Sequence, residues 1–501
     1  MFKPLFRAAA PLLFLAATPL AAQDAAPIAP ADLLAHIRVL AGDDFQGRAP
    51  GTEGEERTVN YIAEQFRARG LERAGENGGW FQTLGLVERA TESVSVSWSA
   101  NGRPLPFEAG NLAAQGDDAS ESIADAPVIF AGHGARIPDR GIDQLAGAEI
   151  QGAVVLILYD APDVPGFPSF GERVRTVTEA GAAAVIAIAS AEIPWEMVPQ
   201  VYRRPGIKPA TLRVPPVVGA MPMRAAQALI EGAGGNFARL LNDQPGSSFR
   251  SVALPLRATM QVTTQVHRYQ TRNVIGRLRG SGSSGQNVML LAHWDHFGTC
   301  RPEGAADRIC NGAVDNASGV ATMIEVAGRL ARGPRPVRDT LFMATTAEEA
   351  GLLGADHFAT HPTVPLESIV GALNIDTIAI APAGEPVAIL NRDIPGLVAL
   401  VEATATAMGR RMDTAHEADM MVTRQDGWTL ARRGVPAFMV GGSFASMARL
   451  NGFLEGRYHG PDDEVDGIEL GGAVEDANLM VALVRRLADP AQWQYPPRIA
   501  R

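Results

Sequence analysis

The chain of 501 residues has little cysteine: two residues, Cys300 and Cys310. A multi-disulfide scaffold is excluded, and the spacing of this pair fits no common zinc knuckle. No long basic block occurs and the formal net charge is −11, which argues against a nucleic-acid partner. An acidic protein repels polyanions and modestly favours cationic substrates, such as free peptide amino termini. Past the N-terminus no segment is apolar over enough length to span a bilayer. A Gly-x-Ser-x-Gly elbow is missing, so serine hydrolysis of that kind has no support. The zincin pattern is missing too: His357 and His361 stand four apart, but no Glu follows His357. Gly280 to Gly285 fits G-x-G-x-x-G, yet a strand rather than a helix is expected after it, which makes it a turn and not a nucleotide loop.

What is present at the N-terminus is an export-type leader. Lys3 and Arg7 form a charged head and Ala8 to Leu20 an apolar stretch. Leu20-Ala21-Ala22-Gln23 offers a small-residue cleavage site, with the cut expected after Ala22. A membrane anchor is the alternative, but the stretch is short and broken by Pro11 and Pro19. No cysteine lies near the cut, so a lipid anchor has no support. The expectation is a signal peptide over residues 1–22 and a periplasmic or secreted protein without stable membrane insertion. In such a compartment two nearby cysteines favour one disulfide; a metal-binding pair is the alternative.

The composition, 46% hydrophobic and 20% charged, is ordinary for a globular protein. The length exceeds what one core supports, so two or three folding units are expected. From Asp32 to Gly70 apolar residues recur at helical spacing, interrupted by a glycine-rich turn over Gly47 to Gly54. Residues 84–107 alternate like strands around a hairpin signal at Asn101-Gly102. Residues 113–255 differ in character. Short β-rich runs (Val128 to Phe130, Val154 to Leu158, Gly181 to Ile186, Val214 to Val218) alternate there with helices near Glu172 to Ala180 and Pro222 to Glu231. This block reads as an inserted β/α domain without a chemical motif. Beyond it, strands at Val288 to Ala292, Thr340 to Thr345 and Ile369 to Leu373 alternate with helices over Ala317 to Arg332, Gly351 to Ala359 and Glu475 to Leu487. The pattern predicts an α/β fold, a central sheet with helices on both faces.

Polar residues fall at telling places on that frame. His293, Glu348, Glu349 and Asp376 each follow an apolar strand closely, and ligands of open α/β sheets bind outside the carboxyl ends of strands. Asp315 precedes a helix, and His459 lies in a polar loop. Zinc takes His nitrogen and carboxylate oxygen. Two His and three carboxylates suit two metals that share one bridging carboxylate, about 3.5–4 Å apart, around a hydroxide nucleophile. A further carboxylate then takes the proton of the water and delivers it to the leaving amine. Adjacent Glu348 and Glu349 suit a split into ligand and base, provided that the backbone turns there. Each residue alone also has a plainer reading. Asp315-Asn316 caps a helix, Glu348-Glu349 is a solvated first turn, and a His after a strand is a hydrogen-bonded structural residue. Their joint placement favours the metal site.

The segments His293-Trp294-Asp295, Asn311 to Gly319, Glu348 to Gly354, Asn374-Ile375-Asp376 and Tyr458-His459 resemble, in order and context, the M28 family of zinc peptidases. Asp44 to Glu55 looks like that family's N-terminal segment. The insert is similar to a protease-associated (PA) domain, notably at Val128 to Gly134 and Gly181 to Ile186. The resemblance implies a zinc-exopeptidase-like mixed sheet, with the peptidase domain split over residues 31–112 and 256–495 around an insert at 113–255. It implies two zinc ions per chain. Asp315 would bridge them, His293 and Asp376 would complete one, and Glu349 and His459 the other. Glu348 would be the general base and then the acid. Asp295 would orient His293, and Tyr458 would hydrogen-bond the tetrahedral oxyanion unless it is merely packed. A cis peptide is expected at Asp315-Asn316. One loop departs from the family: Gln425-Asp426-Gly427-Trp428 keeps only the Asp of a Ser-Asp-His run, and it is expected to line the substrate cleft. The implied activity is an exported aminopeptidase acting on peptides. A carboxypeptidase, with Arg424, Arg432 and Arg433 as candidate cations, or another M28-like hydrolase, and a non-catalytic protein that binds through the insert are the alternatives; a glutaminyl cyclase has a related fold but would be expected to keep one zinc, against the full five-ligand set.

Overall fold

The computed structural model describes residues 26–243 and 249–495, so the leader expected over 1–22 lies outside the described residues. The chain forms two compact units. One takes Met1–Gln82, Asn273–Thr345 and Phe358–Arg501; the other takes Thr83–Arg272 and Thr346–His357.

The first unit is built on a mixed sheet. Its strands lie in the order Ala388–Leu390, Ala437–Gly441, Ile369–Asn374, Asn287–His293, Asp339–Thr345 and the end of Val252–Leu278. The inner pairs are parallel and the two outer pairs antiparallel. Every residue of Asn287–His293 is buried, as an inner parallel strand covered on both faces requires. Alternate side chains serve opposite faces. Val288, Leu290 and Ala292 join the larger core, beneath helices Pro30–Leu40, Ser318–Arg332 and Leu470–Leu487. Met289 and Leu291 join a smaller core with Leu430 of helix Gly427–Ala431. These helices on both faces are the α/β arrangement that the sequence predicts.

The N-terminal helical region divides into Pro30–Leu40, a tight 3-10 segment Asp43–Arg48, and Glu53–Ala68, whose first turn Thr52 caps through the Glu55 amide. Two helices start elsewhere than the periodicity indicates. The helix expected from Gly351 begins at Leu353, because Gly351 (φ 105°) and Leu352 (φ 62°) are left-handed. The last helix begins at Leu470 rather than Glu475, because the Glu469 carboxylate accepts from the Gly471 amide and caps it earlier.

The second unit holds a sheet in which Ser120–Phe130, Val154–Leu158, Ala184–Ala189 and Val217–Pro222 pair in parallel. Ala113–Gly116 and the first part of Val252–Leu278 are its antiparallel neighbours. Val154–Leu158 and Ala184–Ala189 are wholly buried, which explains their unbroken apolar sequence. The hairpin Phe81–Ala100 with Arg103–Leu105 turns at Asn101 and Gly102, both at positive φ, as a tight two-residue turn demands. Among the described residues no helix is long and apolar enough to cross a membrane.

Candidate metal centre

Strand Asn287–His293 ends on His293, where the Trp294 amide still donates to the Thr345 carbonyl. The imidazole is 2% exposed. Its Nε2 stands 3.1 Å from Asp315 Oδ1 and 3.5 Å from Asp376 Oδ1. Its Nδ1 is 3.1 Å from the Asp295 carbonyl oxygen and 3.8 Å from that residue's carboxylate. The orienting contact expected from the Asp295 side chain is thus closer through the Asp295 backbone.

Asp315 lies in the turn Ala313–Ala317, immediately before helix Ser318–Arg332. The Asp315-Asn316 peptide is cis. Asn316 fixes this turn by donating to the Ile375 carbonyl, next to Asp376, and by accepting from the Gly319 amide. The two carboxylate oxygens of Asp315 face different histidines. Oδ1 faces His293, and Oδ2 lies 3.4 Å from His459 Nε2 and 3.9 Å from His296 Nδ1. Oδ2 is buried and lacks a well-formed hydrogen bond among the described residues. Burial pushes the Asp315 carboxyl up, but the imidazoles of His293, His459 and His296 outweigh it and hold it well below the usual carboxylate range.

Glu348 and Glu349 are half-buried. Past Asp339–Thr345 the chain leaves the strand, with Ala347 at φ 51° and the Gly351 and Leu352 amides donating to the Glu348 carbonyl. That is the turn which adjacent carboxylates of different roles require. Asp376 follows strand Ile369–Asn374 and accepts from the Thr377 hydroxyl.

The residues fit divalent cations. A buried carboxylate with an oxygen short of hydrogen bonds, between imidazole nitrogens and beside a second carboxylate, is the nitrogen-and-oxygen donor set zinc prefers. Such carboxylates stay charged together only near compensating positive charge. Tyr458, half-buried, stacks on His459 with ring centroids 3.5 Å apart and meets Phe453 edge-on at 5.7 Å. Phe297, 40% exposed, lies 4.3 Å from the His459 ring.

Cys300 and Cys310 form a disulfide with Cα atoms 5.8 Å apart. It joins Gly298–Thr299 to Ile309–Cys310, a short antiparallel ribbon inside the loop between His293 and Asp315. Cys310 Sγ approaches the His459 carbonyl at 3.5 Å.

In the loop Gln425 to Trp428, Gln425 and Asp426 are 2% and 1% exposed and Trp428 is half-buried. Asp426 takes the Thr345 hydroxyl, and the Gln425 side chain accepts from the Gly427 amide. Arg424 and Arg432 are exposed, and Arg433 donates to the Thr429 carbonyl.

Sequence reasoning missed Asp463 and Arg48. Asp463 is fully buried and accepts from the Val314 amide at 3.1 and 3.2 Å and from the Asp315 amide at 3.0 Å. Its position four residues after His459 was the available signal. Asn311 donates to both the Asp43 and Glu464 carboxylates.

Residues 273–484 match the model of Peptidase family M28. A probable lipoprotein aminopeptidase LpqL of Mycobacterium tuberculosis is 33% identical over 136 residues, 26% of this chain and 25% of that protein. A vacuolar membrane protease of Candida tropicalis is 32% identical over 94 residues, 19% of this chain and 9% of that protein. The chain therefore spans only 25% and 9% of the length of these curated relatives. An aminopeptidase from Aneurinibacillus sp. strain AM-1 superposes with a TM-score of 0.53 at 17% identity, over 94% of this chain and 96% of that one. At that identity the likeness is one of fold.

Proposed function

We propose that the protein is an exported zinc-dependent exopeptidase of the M28 type, an aminopeptidase that removes N-terminal residues from peptides; the match of residues 273–484 to the model of Peptidase family M28 is the premise. One observation carries the reading: the buried Asp315 carboxylate turns one oxygen to His293 and the other to His459, at 3.1 and 3.4 Å. A carboxylate so placed would suit two cations at once. In this reading His293 and Asp376 would hold one zinc with Asp315, and Glu349 and His459 would hold the other. Zinc supplies polarisation of the scissile carbonyl and acidifies water.

The remaining work belongs to side chains of this chain. Glu348, next to the ligand Glu349, takes a proton from the attacking water on its carboxylate. It returns that proton to the departing amine nitrogen, so that the leaving group departs neutral. Asp295 holds the His293 ring through its carbonyl, so that Nε2 faces the carboxylates. Tyr458 keeps the His459 ring in place by stacking, and its phenol is the candidate donor to the developing oxyanion.

Glu348→Gln tests the assignment. Turnover is expected to fall by at least 10²-fold, the lower end for loss of a general base, with zinc content unchanged. Retained turnover would remove Glu348 from the base role. Metal analysis of the active wild type should give two zinc ions per chain, and fewer would refute the shared-carboxylate reading. A paired screen of aminoacyl and C-terminal peptide substrates, with and without chelator, decides between aminopeptidase and carboxypeptidase.

A further inference from the structure

We propose that Arg48 is a positioning residue for the metal ligands, holding the two ends of the loop that joins His293 to Asp315; this rests on the metal-centre reading above. Arg48 is 1% exposed. Its Nε donates to the Trp294 carbonyl at 2.8 Å, directly after His293. Its Nη1 donates to the carbonyls of Leu40 at 2.7 Å and Asn311 at 2.6 Å, and its Nη2 to that of Gly312 at 2.9 Å. Three of these four acceptors flank the two ligands. The planar guanidinium fork, with five donors in fixed directions, suits carbonyls converging from separate segments; an ammonium or an apolar side chain does not.

The backbone around Arg48 is committed to the same loop. The Arg48 carbonyl accepts from the His296 amide at 3.3 Å. Arg48 itself is left-handed at φ 52°, a conformation that a side-chain-bearing residue holds only when its surroundings enforce it. At Gly47 (φ 64°) a Cβ would come within 2.5 Å of the Cys310 carbonyl oxygen and 2.7 Å of the Gly298 carbonyl oxygen, so the chain there lies against the disulfide ribbon.

Asp463 grips the same arc from the other side, through the Val314 and Asp315 amides. The arc from Asn311 to Asp315 is therefore held between a cation on its carbonyls and an anion on its N–H groups. Filling the core alone would not need a buried charge, which is costly without close partners. Losing the guanidinium takes one donor from each of four carbonyls and frees Asp315 to shift relative to His293, although no ligand has been touched.

The test uses the full chain with intact disulfide, as Arg48→Met and Arg48→Lys. The readouts are the zinc dissociation constant by chelator competition, the visible spectrum after cobalt substitution, and kcat and KM at saturating zinc. For Arg48→Met zinc affinity should fall about 10–100-fold, the range for loss of an outer-shell partner. The cobalt bands should shift, and kcat should fall with KM unchanged. Arg48→Lys, which keeps the charge but not the fork, should recover part of each effect. A role confined to stability would lower the melting temperature and leave affinity and spectrum alone. Affinity within twofold of wild type with an unchanged cobalt spectrum, in folded Arg48→Met or, if that variant does not fold, in Arg48→Lys, overturns the proposal. A wild-type protein that binds neither zinc nor cobalt stoichiometrically would instead overturn the metal-centre reading, and the Arg48 role with it.

Discussion

Replacing Asp463 by Asn removes an acceptor oxygen and a charge from beneath Asp315 without altering any candidate ligand. The wild-type carboxylate takes Val314 N on both oxygens and Asp315 N on Oδ2. An amide has one oxygen, so its NH₂ group must face one of two backbone donors. A hydrogen bond to a charged acceptor contributes about 1.5–3 kcal/mol, and a buried donor left unpaired costs about 1–3 kcal/mol. The loss is partly offset, because burial pushes the Asp463 carboxyl up against the amides of Asp315 and Val314 that pull it down. Some of the cost of burying a charge is therefore recovered in the variant. The net local loss is about 1–3 kcal/mol. At about 1.4 kcal/mol per tenfold, that is a five- to hundredfold loss of protection. The loss should be confined to the turn Ala313–Ala317. Hydrogen exchange read by mass spectrometry on the peptide spanning that turn measures it directly. The start of helix Ser318–Arg332 should loosen with it, while Val154–Leu158 in the other unit should not change. Unchanged exchange over Ala313–Ala317, together with unchanged zinc affinity, would refute the idea that Asp463 holds the Asp315 carboxylate in place.

Two further tests concern the frame around the centre. Reducing the Cys300–Cys310 bond, which closes a separation of 10 residues, should cost about 3 kcal/mol by the loop-entropy estimate and weaken zinc binding, because the ribbon touches His459. Zinc titration of the Cys300→Ser/Cys310→Ser protein checks this, and unaltered affinity would limit the bond to stability. Behind the site, burial pushes the Glu325 carboxyl up, but His36 and Arg69 outweigh it and bring it down to about 2. A carboxyl held below its ordinary 4.5 stabilises the fold above that pH, and the contribution, roughly 3 kcal/mol at most, is lost as pH falls through 4.5 towards 2. Glu325→Gln should flatten the acid limb of the stability curve in that window; an identical limb in both proteins would count against the buried network of Glu325 with His36, Arg69 and Arg329.

What the sequence disclosed and what it hid follow from how each part of the site works. His293 and Asp376 were legible because inner parallel strands are apolar on both faces. A polar residue closing such a run stands out, and the strands Asn287–His293 and Ile369–Asn374 carry the two residues to neighbouring strand ends. Asp315 and the Glu348-Glu349 pair were legible because metal chemistry admits few side-chain types. The turn that makes two adjacent glutamates different was only a requirement until Ala347 and Leu352 appeared at positive φ. The burial of Asp426 was not legible, because its partner, the Thr345 hydroxyl, lies 81 residues away in sequence. Arg48 was the least legible. Its acceptors lie 8, 246, 263 and 264 residues away in sequence, and all are main-chain carbonyls. Every residue has a carbonyl, so no choice of side chain at Leu40, Trp294, Asn311 or Gly312 marks the contact. A metal centre thus has two sets of determinants. The proposed ligands are constrained by atom type and can be read in one dimension. The groups that orient them through the backbone are constrained by position alone, and only three-dimensional structure shows which charge holds which turn.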